Sequence, residues 1–235
     1  MDWSWITGNA SLIAHLLGQH LYLALMPVLF GTIIAVPLGI VCVRWGWAYP
    51  PVLSATSVLY ALPSLALFVI LIAFTGLTDT TVIIALTVYS LSVLVPNVVD
   101  GLRSVPDPVR QAAVAMGFTG VRRLAQVELP IAVPVVIAGL RIATVSSISL
   151  VSVGQLIGIG GLGYLFIDGE QRDFPTEIYT GIGLIVVLAL AADALLVLAR
   201  RLLTPWRAPQ HRTVRAANKG PARGPVAWRP GGGTP

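Results

Sequence analysis

The sequence predicts an all-α membrane protein, built as a bundle of five transmembrane helices, and three observations predict it. Hydrophobic residues make up 56% of the 235 residues and charged residues only 11%, a balance outside the range of soluble domains. The mean hydropathy is +0.84. Five apolar runs each approach the roughly 20 residues that a helix needs to cross a bilayer. Because a soluble fold of this length would leave much of that apolar surface in water, we expect a multi-pass membrane protein.

The elements follow in order along the chain. Residues 1–18 form a predicted external segment, whose Trp3 and Trp5 suit a membrane interface. A domain of residues 19–203 carries the transmembrane bundle, and a polar loop of residues 104–130 interrupts it between the third and fourth spans. The five predicted spans cover residues 19–43, 52–74, 81–99, 131–153 and 178–203.

Basic residues give the predicted orientation. Of the 15 Lys and Arg residues, only Arg172 lies in a segment on the side opposite the 104–130 loop. Basic residues collect on the cytosolic side of membrane proteins, so the N-terminus is predicted outside, and the loop and the C-terminus inside. Residues 204–235 are rich in Arg, Pro and Gly, and we predict a disordered, basic cytosolic tail that touches anionic membrane lipid. No nucleic-acid-binding module accompanies these charges, so nucleic acid is not an expected partner.

The 104–130 loop is the longest polar stretch between two apolar runs. Asp107 suits a helix N-cap, and small apolar residues recur behind it at helical spacing. Gly117 is predicted to end this helix, and a second short helix carries Arg122 and Arg123. Two short basic helices of this kind form either an amphipathic loop on the lipid surface or a docking surface for a cytosolic partner.

A glycine-rich segment lies between the fourth and fifth spans. Gly158, Gly160 and Gly163 match the spacing of a dinucleotide-binding fingerprint, but that fingerprint requires a preceding strand and a following helix in a βαβ unit. Here a membrane span precedes the segment, and the charge distribution places it outside. We therefore predict a flexible turn with close helix packing, which also includes Gly161.

Hydroxyl side chains recur along the fourth span, where Thr144 and Ser147 lie one turn apart. Two interpretations stand for them. The hydroxyls bond to backbone groups within or between helices, or they line a solute path through weak polar contacts. Asn97 and Asp100 lie near the end of the third span. Their first interpretation is as helix-end caps, and their second is as gate residues.

Asp193 lies inside the fifth span. A carboxylate at that depth is costly, so we expect it to face the bundle interior and to have a partner. Arg141 and a backbone group are the two candidates. A structural polar lock is favoured over a proton relay, which would need further buried carboxylates or histidines.

The sequence carries no catalytic or metal-binding pattern. The single cysteine, Cys42, lies within an apolar run, and His15, His20 and His211 lack metal-ligand spacing. No Walker A segment or catalytic triad pattern occurs. We expect no catalytic residue, no metal site and no cofactor on this chain, so that any ATP hydrolysis takes place on a separate chain.

The 104–130 loop resembles the EAA loop of the permease subunits of binding-protein-dependent ABC importers. That pattern is Glu-Ala-Ala, three residues, Gly, nine residues, Ile, one residue, Leu-Pro. Here it reads Gln111-Ala112-Ala113, Gly117 and Val127-Glu128-Leu129-Pro130, with Gln in place of Glu at its first position. The resemblance implies a coupling helix that docks in a groove of a cytosolic ATPase, and the ATPase would hold ATP and Mg. It assigns this contact to Gln111, Ala112, Ala113, Gly117, Arg122, Arg123, Leu129 and Pro130.

Further stretches are similar to osmoprotectant importer permeases for glycine betaine, carnitine and choline, namely residues 62–67, residues 138–145 and the glycine-rich segment. The resemblance covers about residues 15–203. It implies import across the cytoplasmic (inner) membrane with a second permease subunit, identical or different, and an extracytoplasmic solute-binding protein. We assign the translocation path or gate to Asn97, Asp100, Thr144, Ser147, Gly158, Gly160, Gly161, Gly163 and Asp193.

Two alternatives accompany this function. Methionine or another small polar solute is the alternative substrate, because methionine-type permeases share the size and the glycine-rich segment. The alternative of another class is a stand-alone ion-coupled carrier, which Asp193 would serve. Five spans without an evident inverted repeat argue against that class.

Overall fold

The structure is a computed structural model, and it describes residues 2–205. Every regular element in that range is helical, which confirms the predicted all-α class. The predicted tail of residues 204–235 lies outside the described residues except for its first two positions. The α-helices are α1 (Trp3–Gly8), α2 (Ala10–Arg44), α3 (Tyr49–Ala61), α4 (Ser64–Thr75), α5 (Asp79–Arg103), α6 (Asp107–Ala115), α7 (Gly120–Arg123), α8 (Leu129–Val151), α9 (Tyr164–Gln171) and α10 (Pro175–Leu203).

Four helical segments are long and apolar enough to cross a membrane, namely α2, α5, α10 and α8 with its flanking turns. The predicted second span, residues 52–74, is not one helix, because α3 and α4 meet at a bend of 97°. Pro63 disfavours helical geometry in the residue before it, and Leu62 is extended, with φ −68° and ψ 135°. The described chain therefore has four spans, or five if the bent pair crosses as one. The orientation of the termini stays a prediction.

The first span begins earlier than predicted, at Ala10 rather than at residue 19. The N-terminal segment before it is also helical, since the Asp2 carboxylate caps α1 by accepting backbone N–H groups. Leu16 on α2 is buried in one cluster with Leu162 and Leu165. This burial gives the early part of α2 a packed face and explains why the helix extends beyond the predicted span.

The bundle is centred on α5, which packs between α2 and α8. Glycines allow the close approach, because a Cβ on Gly39 would lie 2.5 Å from Val98 and a Cβ on Gly139 would lie 2.5 Å from Asn97. By contrast, the most apolar stretch of α10 has no buried residue. α10 therefore lies at the edge of the described bundle, with one apolar face left uncovered.

The 104–130 loop contains α6 and α7, and a π-helical turn (Leu124–Glu128) leads from α7 into α8. Asp107 is not the N-cap that the sequence predicted, because Pro106 takes that position and no side chain caps the helix. Asp107 is instead the first helical residue, where a negative charge favours the helix dipole. Gly117 follows α6 in the left-handed region, with φ +80°, and ends it as predicted.

Candidate functional site

The 104–130 loop is held together by a buried carboxylate, Glu128, which is 7% exposed. Its Oε1 atom accepts a hydrogen bond from Arg123 Nε at 2.8 Å and lies 3.7 Å from Arg110 Nε. Arg110 also donates from Nη2 to the Leu102 carbonyl oxygen at 2.7 Å. These contacts connect α6 and α7 to the ends of α5 and α8.

The sequence analysis did not single out Glu128 or Arg110 as anchors. The available signal was a lone carboxylate directly before an apolar span, with arginines upstream in the same loop. Arg123, predicted to contact the ATPase, turns inward to Glu128. Arg122 remains exposed, stacked over the Phe118 ring at 4.6 Å.

The outer surface of the loop combines small and apolar side chains. Gln111, Ala112 and Gly117 are exposed, whereas Ala113 is 1% exposed and packs inside its own chain. Leu129 and Pro130 are half-buried at the start of α8. Large apolar side chains are also exposed here, namely Val109, Val114, Met116 and Val121. A partner groove would therefore meet the exposed residues, while the small size of Ala113 serves the packing of the loop itself.

The glycine-rich segment packs on α2 at His20, which is fully buried. His20 Nε2 lies 2.9 Å from the Ile148 carbonyl oxygen, and His20 Nδ1 accepts from the Leu162 backbone N–H at 3.2 Å. Nδ1 accepts, so the ring proton is on Nε2 and donates to Ile148. A Cβ on Gly161, whose φ is +50°, would lie 2.7 Å from the His20 backbone.

His20 thus joins α2, α8 and the glycine-rich segment, a role that the sequence analysis missed. A histidine inside an otherwise apolar run was the signal. The close packing around Gly161 agrees with the predicted turn, and the assignment of Gly158, Gly160, Gly161 and Gly163 to a gate stays a prediction.

The hydroxyls of Thr144 and Ser147 bond to backbone groups. Thr144 donates to the Leu140 carbonyl oxygen at 2.8 Å within α8, and Ser147 donates to the Ala24 carbonyl oxygen of α2 at 2.8 Å. Both residues are buried. In this conformation they follow the first of the two interpretations, and their place on a solute path stays a prediction.

Asn97 and Asp100 are not the helix-end caps that the sequence predicted, because α5 continues through both of them to Arg103. The helix continues past Pro96 because the apolar residues after this proline, Val98, Val99 and Leu102, are buried. Asn97 Nδ2 donates to the Val93 carbonyl oxygen at 2.8 Å, and Asp100 is exposed. Their role at a gate stays a prediction.

Asp193 pairs with Arg141, one of its two predicted partners. Arg141 Nε and Nη2 donate to the two carboxylate oxygens of Asp193, each at 2.7 Å. This bidentate pair joins α8 to α10. Each side chain is 32% exposed, so the pair lies at the rim of the described bundle rather than in its interior. It borders a cavity of about 440 Å³ that Ala138, Ile142, Val145 and Ser146 complete.

A second ionic group, missed by the sequence analysis, lies where α9 meets α10. Arg172 Nη1 lies 2.6 Å from Asp168 Oδ2 and 3.6 Å from Glu177 Oε2. The hydrogen bond from Arg172 holds the pKa of the Asp168 carboxyl below its usual value. Glu177 is fully buried. Within residues 2–205, no three His, Cys, Asp or Glu side chains are placed to hold a metal ion.

Residues 12–207 match the family of binding-protein-dependent transport system inner membrane components. The chain belongs to this family. It is therefore a multi-pass protein of the inner membrane, and its similar proteins are transport permeases rather than enzymes.

Curated relatives align with most of this chain. The osmoprotectant import permease protein OsmW of Salmonella typhimurium is 37% identical over 202 residues, which cover 84% of this chain and 94% of OsmW. The choline transport system permease protein OpuBD of Bacillus subtilis is 33% identical over 198 residues, which cover 84% of this chain and 88% of OpuBD. The glycine betaine/carnitine/choline transport system permease protein OpuCB of Bacillus subtilis is 32% identical over 198 residues, covering 84% and 91%.

Among solved structures, a chain of the MetNI methionine ABC transporter in an inward-facing conformation matches with a TM-score of 0.76 at 22% identity. The match covers 87% of this chain and 100% of the other. At this identity the match shows the fold alone, which this chain shares with a chain of an ABC transporter.

Proposed function

We propose that this chain is the permease subunit of an ATP-driven importer that carries osmoprotectants of the glycine betaine, choline and carnitine type across the cytoplasmic membrane. The observation that carries the proposal is the agreement among relatives. Those reported above are each named for a solute of this class, and each aligns over 84% of this chain.

The 104–130 loop is the proposed docking site for a cytosolic ATPase, which would hold ATP and Mg. Its support comes from the exposed apolar side chains Val114, Met116 and Val121, which lie beside the exposed Gln111 and Ala112. An exposed apolar patch on a polar loop is typical of an interaction surface.

The same loop is proposed to transmit movement of the ATPase to the membrane helices. A displacement of α6 would be passed to α5 through the Arg110 contact with Leu102, and to α8 through Glu128. Rigid connections of this kind let closure of the ATPases shift the transmembrane helices between two arrangements, which is how alternating access would arise.

A second permease subunit, a copy of this chain or a sister permease, would complete the path. The uncovered apolar face of α10 supports such an interface. An extracytoplasmic solute-binding protein would deliver the solute at the opposite side, near the Asp168–Arg172 pair, where Arg172 is largely exposed.

Reconstitution tests the proposal. The complex, purified with its ATPase and binding protein and placed in vesicles, is expected to accumulate labelled glycine betaine or choline only when ATP is present. Uptake of methionine in place of these solutes would contradict the solute assignment. Transport by the purified chain alone under an ion gradient would contradict the ATP-driven mechanism and favour an ion-coupled carrier.

A further inference from the structure

The break between α3 and α4 brings two tyrosines together, the exposed Tyr60 of α3 and the buried Tyr89 of α5. The ring centroids of Tyr60 and Tyr89 lie 5.9 Å apart in an edge-to-face arrangement. The Tyr89 hydroxyl donates to the Leu62 carbonyl oxygen, which the bend leaves without a helical partner. Because Tyr89 lies within one turn of the midpoint of α5, the break lies near the middle of the membrane.

A row of polar side chains, called the polar line below, runs from Tyr60 and Tyr89 through Ser146 to Arg141 and Asp193. A small cavity beside the tyrosines is lined by Ser146 of α8. Ser146 also lines the larger cavity that contains Arg141 and Asp193. Arg141 lies within one turn of the midpoint of α8. The aromatic pair and the ion pair thus border adjoining cavities at a similar depth.

This line is open rather than packed. Tyr60 is 57% exposed, and Arg141 and Asp193 are each about one-third exposed. Ionised side chains at the membrane centre face a bundle interior or a water-filled cavity rather than lipid. At this depth the open side of the line is therefore expected to face other protein or water rather than lipid.

We propose that Tyr60, Ser146 and Arg141 form a transient contact site for the solute at mid-membrane, a claim that rests on the proposed function. A quaternary ammonium group would lie against the Tyr60 ring, because the negative face of an aromatic ring attracts such a cation. The carboxylate of a zwitterionic solute would lie beside the Arg141 guanidinium.

The ion pair suits a site of passage. Asp193 offsets the charge of Arg141 through two hydrogen bonds, so Arg141 would attract the carboxylate of a zwitterion only weakly. Weak contacts of this kind let a solute enter and leave again. A free arginine or a free aspartate at this depth would bind a charged solute more strongly and slow its release.

Uptake by the complete complex in vesicles tests the aromatic contact. We expect Tyr60→Leu to lower the initial rate of ATP-driven glycine betaine uptake by about five- to tenfold, the size of a partly desolvated cation–π contact. Tyr60→Phe keeps the ring and is expected to retain most of the rate. Tyr22→Leu is the matched control, because Tyr22 on α2 is also exposed, at 46%, and lies outside the polar line.

Fluorination separates this contact from a packing role. Phenylalanines with one, two and three ring fluorines at position 60 weaken the negative face stepwise with little change in shape. We expect the uptake rate to fall with each fluorine. Equal rates across the series, or a Tyr60→Leu rate equal to that of Tyr22→Leu, would overturn the aromatic contact.

The carboxylate contact has its own readout. We expect the paired replacement Arg141→Gln with Asp193→Asn, which stays neutral, to lower glycine betaine uptake more than choline uptake, because choline has no carboxylate. An equal loss for both solutes would overturn this half of the site. Wild-type vesicles that import neither solute would refute the proposed function and the site with it, whereas normal wild-type uptake with unaffected variants would refute the site alone.

Discussion

At the residue scale, Gly117 is the position where backbone geometry decides how the loop surface is formed. Its φ of +80° lies in the left-handed region, which costs an L-residue with a side chain roughly 1–2 kcal/mol. No atom lies within 4 Å of the position that a Cβ would occupy, so space in the chain does not oppose a substitution. Within the chain, glycine is therefore required at this position because of its backbone conformation. A contact with a partner would add a second requirement.

Gly117→Ala is expected to lower ATP-driven uptake and ATPase recovery in detergent, because a side chain at this position would strain the turn after α6. Gly120→Ala is the matched control, since Gly120 opens α7 in the same loop without a positive φ and with equal free space. Amounts of inserted protein should be equal for both variants. Equal uptake and ATPase recovery in the two variants would contradict a role for the backbone conformation at Gly117.

At the element scale, polar contacts connect the loop helices to the bundle, and glycines let the long helices pack closely against α5. Glu128 connects α6 and α7 to α8, and Gly39 and Gly139 bring α2 and α8 close to α5. The glycine contacts are fixed packing. The Glu128 contacts lie in the loop that would bind the ATPase. Breaking them is therefore expected to impair the coupling of ATP hydrolysis to transport.

Glu128→Gln should uncouple the loop from the bundle. Its replacement leaves Arg123 without a carboxylate and leaves Arg110 with only the exposed Asp107. Because Arg110 and Arg123 are 27% and 33% exposed, we expect a loss of only about 1–2 kcal/mol in stability. The reconstituted complex should import fewer solute molecules per ATP hydrolysed. Asp107→Asn is the control, because Asp107 is largely exposed and lies 3.5 Å from the same Arg110. An unchanged transport ratio in Glu128→Gln would rule out this coupling role.

At the scale of the whole molecule, the bent pair α3–α4 decides the topology. If the pair crosses the membrane, the chain has five spans and its ends lie on opposite sides. If it re-enters, the chain has four spans and the ends lie on the same side. The distribution of basic residues favours opposite sides.

Cysteine labelling distinguishes the two topologies. With Cys42 replaced by Ser, a cysteine introduced at Ser4 should react with an impermeant reagent added to intact cells. One introduced at Ala112 should react only after the membrane is opened. Both positions are exposed in the structure, so access depends on the side of the membrane. Labelling of both positions in intact cells, or of neither, would contradict the five-span arrangement.

The sequence by itself determined the class of protein, the approximate position of the spans and the position of the polar loop of residues 104–130, whose role in coupling stays a prediction. Long apolar runs and motif spacing are local properties, and they do not depend on how helices pack. The same local signals misplaced the N-cap at Asp107 and the helix end near Asn97, because Pro106 and buried contacts beyond Asn97 set those boundaries.

Only the tertiary structure decided which polar groups meet. It selected Arg141 as the partner of Asp193, turned Arg123 inward to Glu128 and placed His20 between α8 and the glycine-rich segment. It also bent the second span at Leu62 and brought Tyr60 beside Tyr89. Arg123 and Glu128 are only five positions apart, and the π-helical turn between them sets their contact. The other pairs are far apart in sequence or depend on a single proline, and their geometry is set by the crossing of helices, which no local pattern contains.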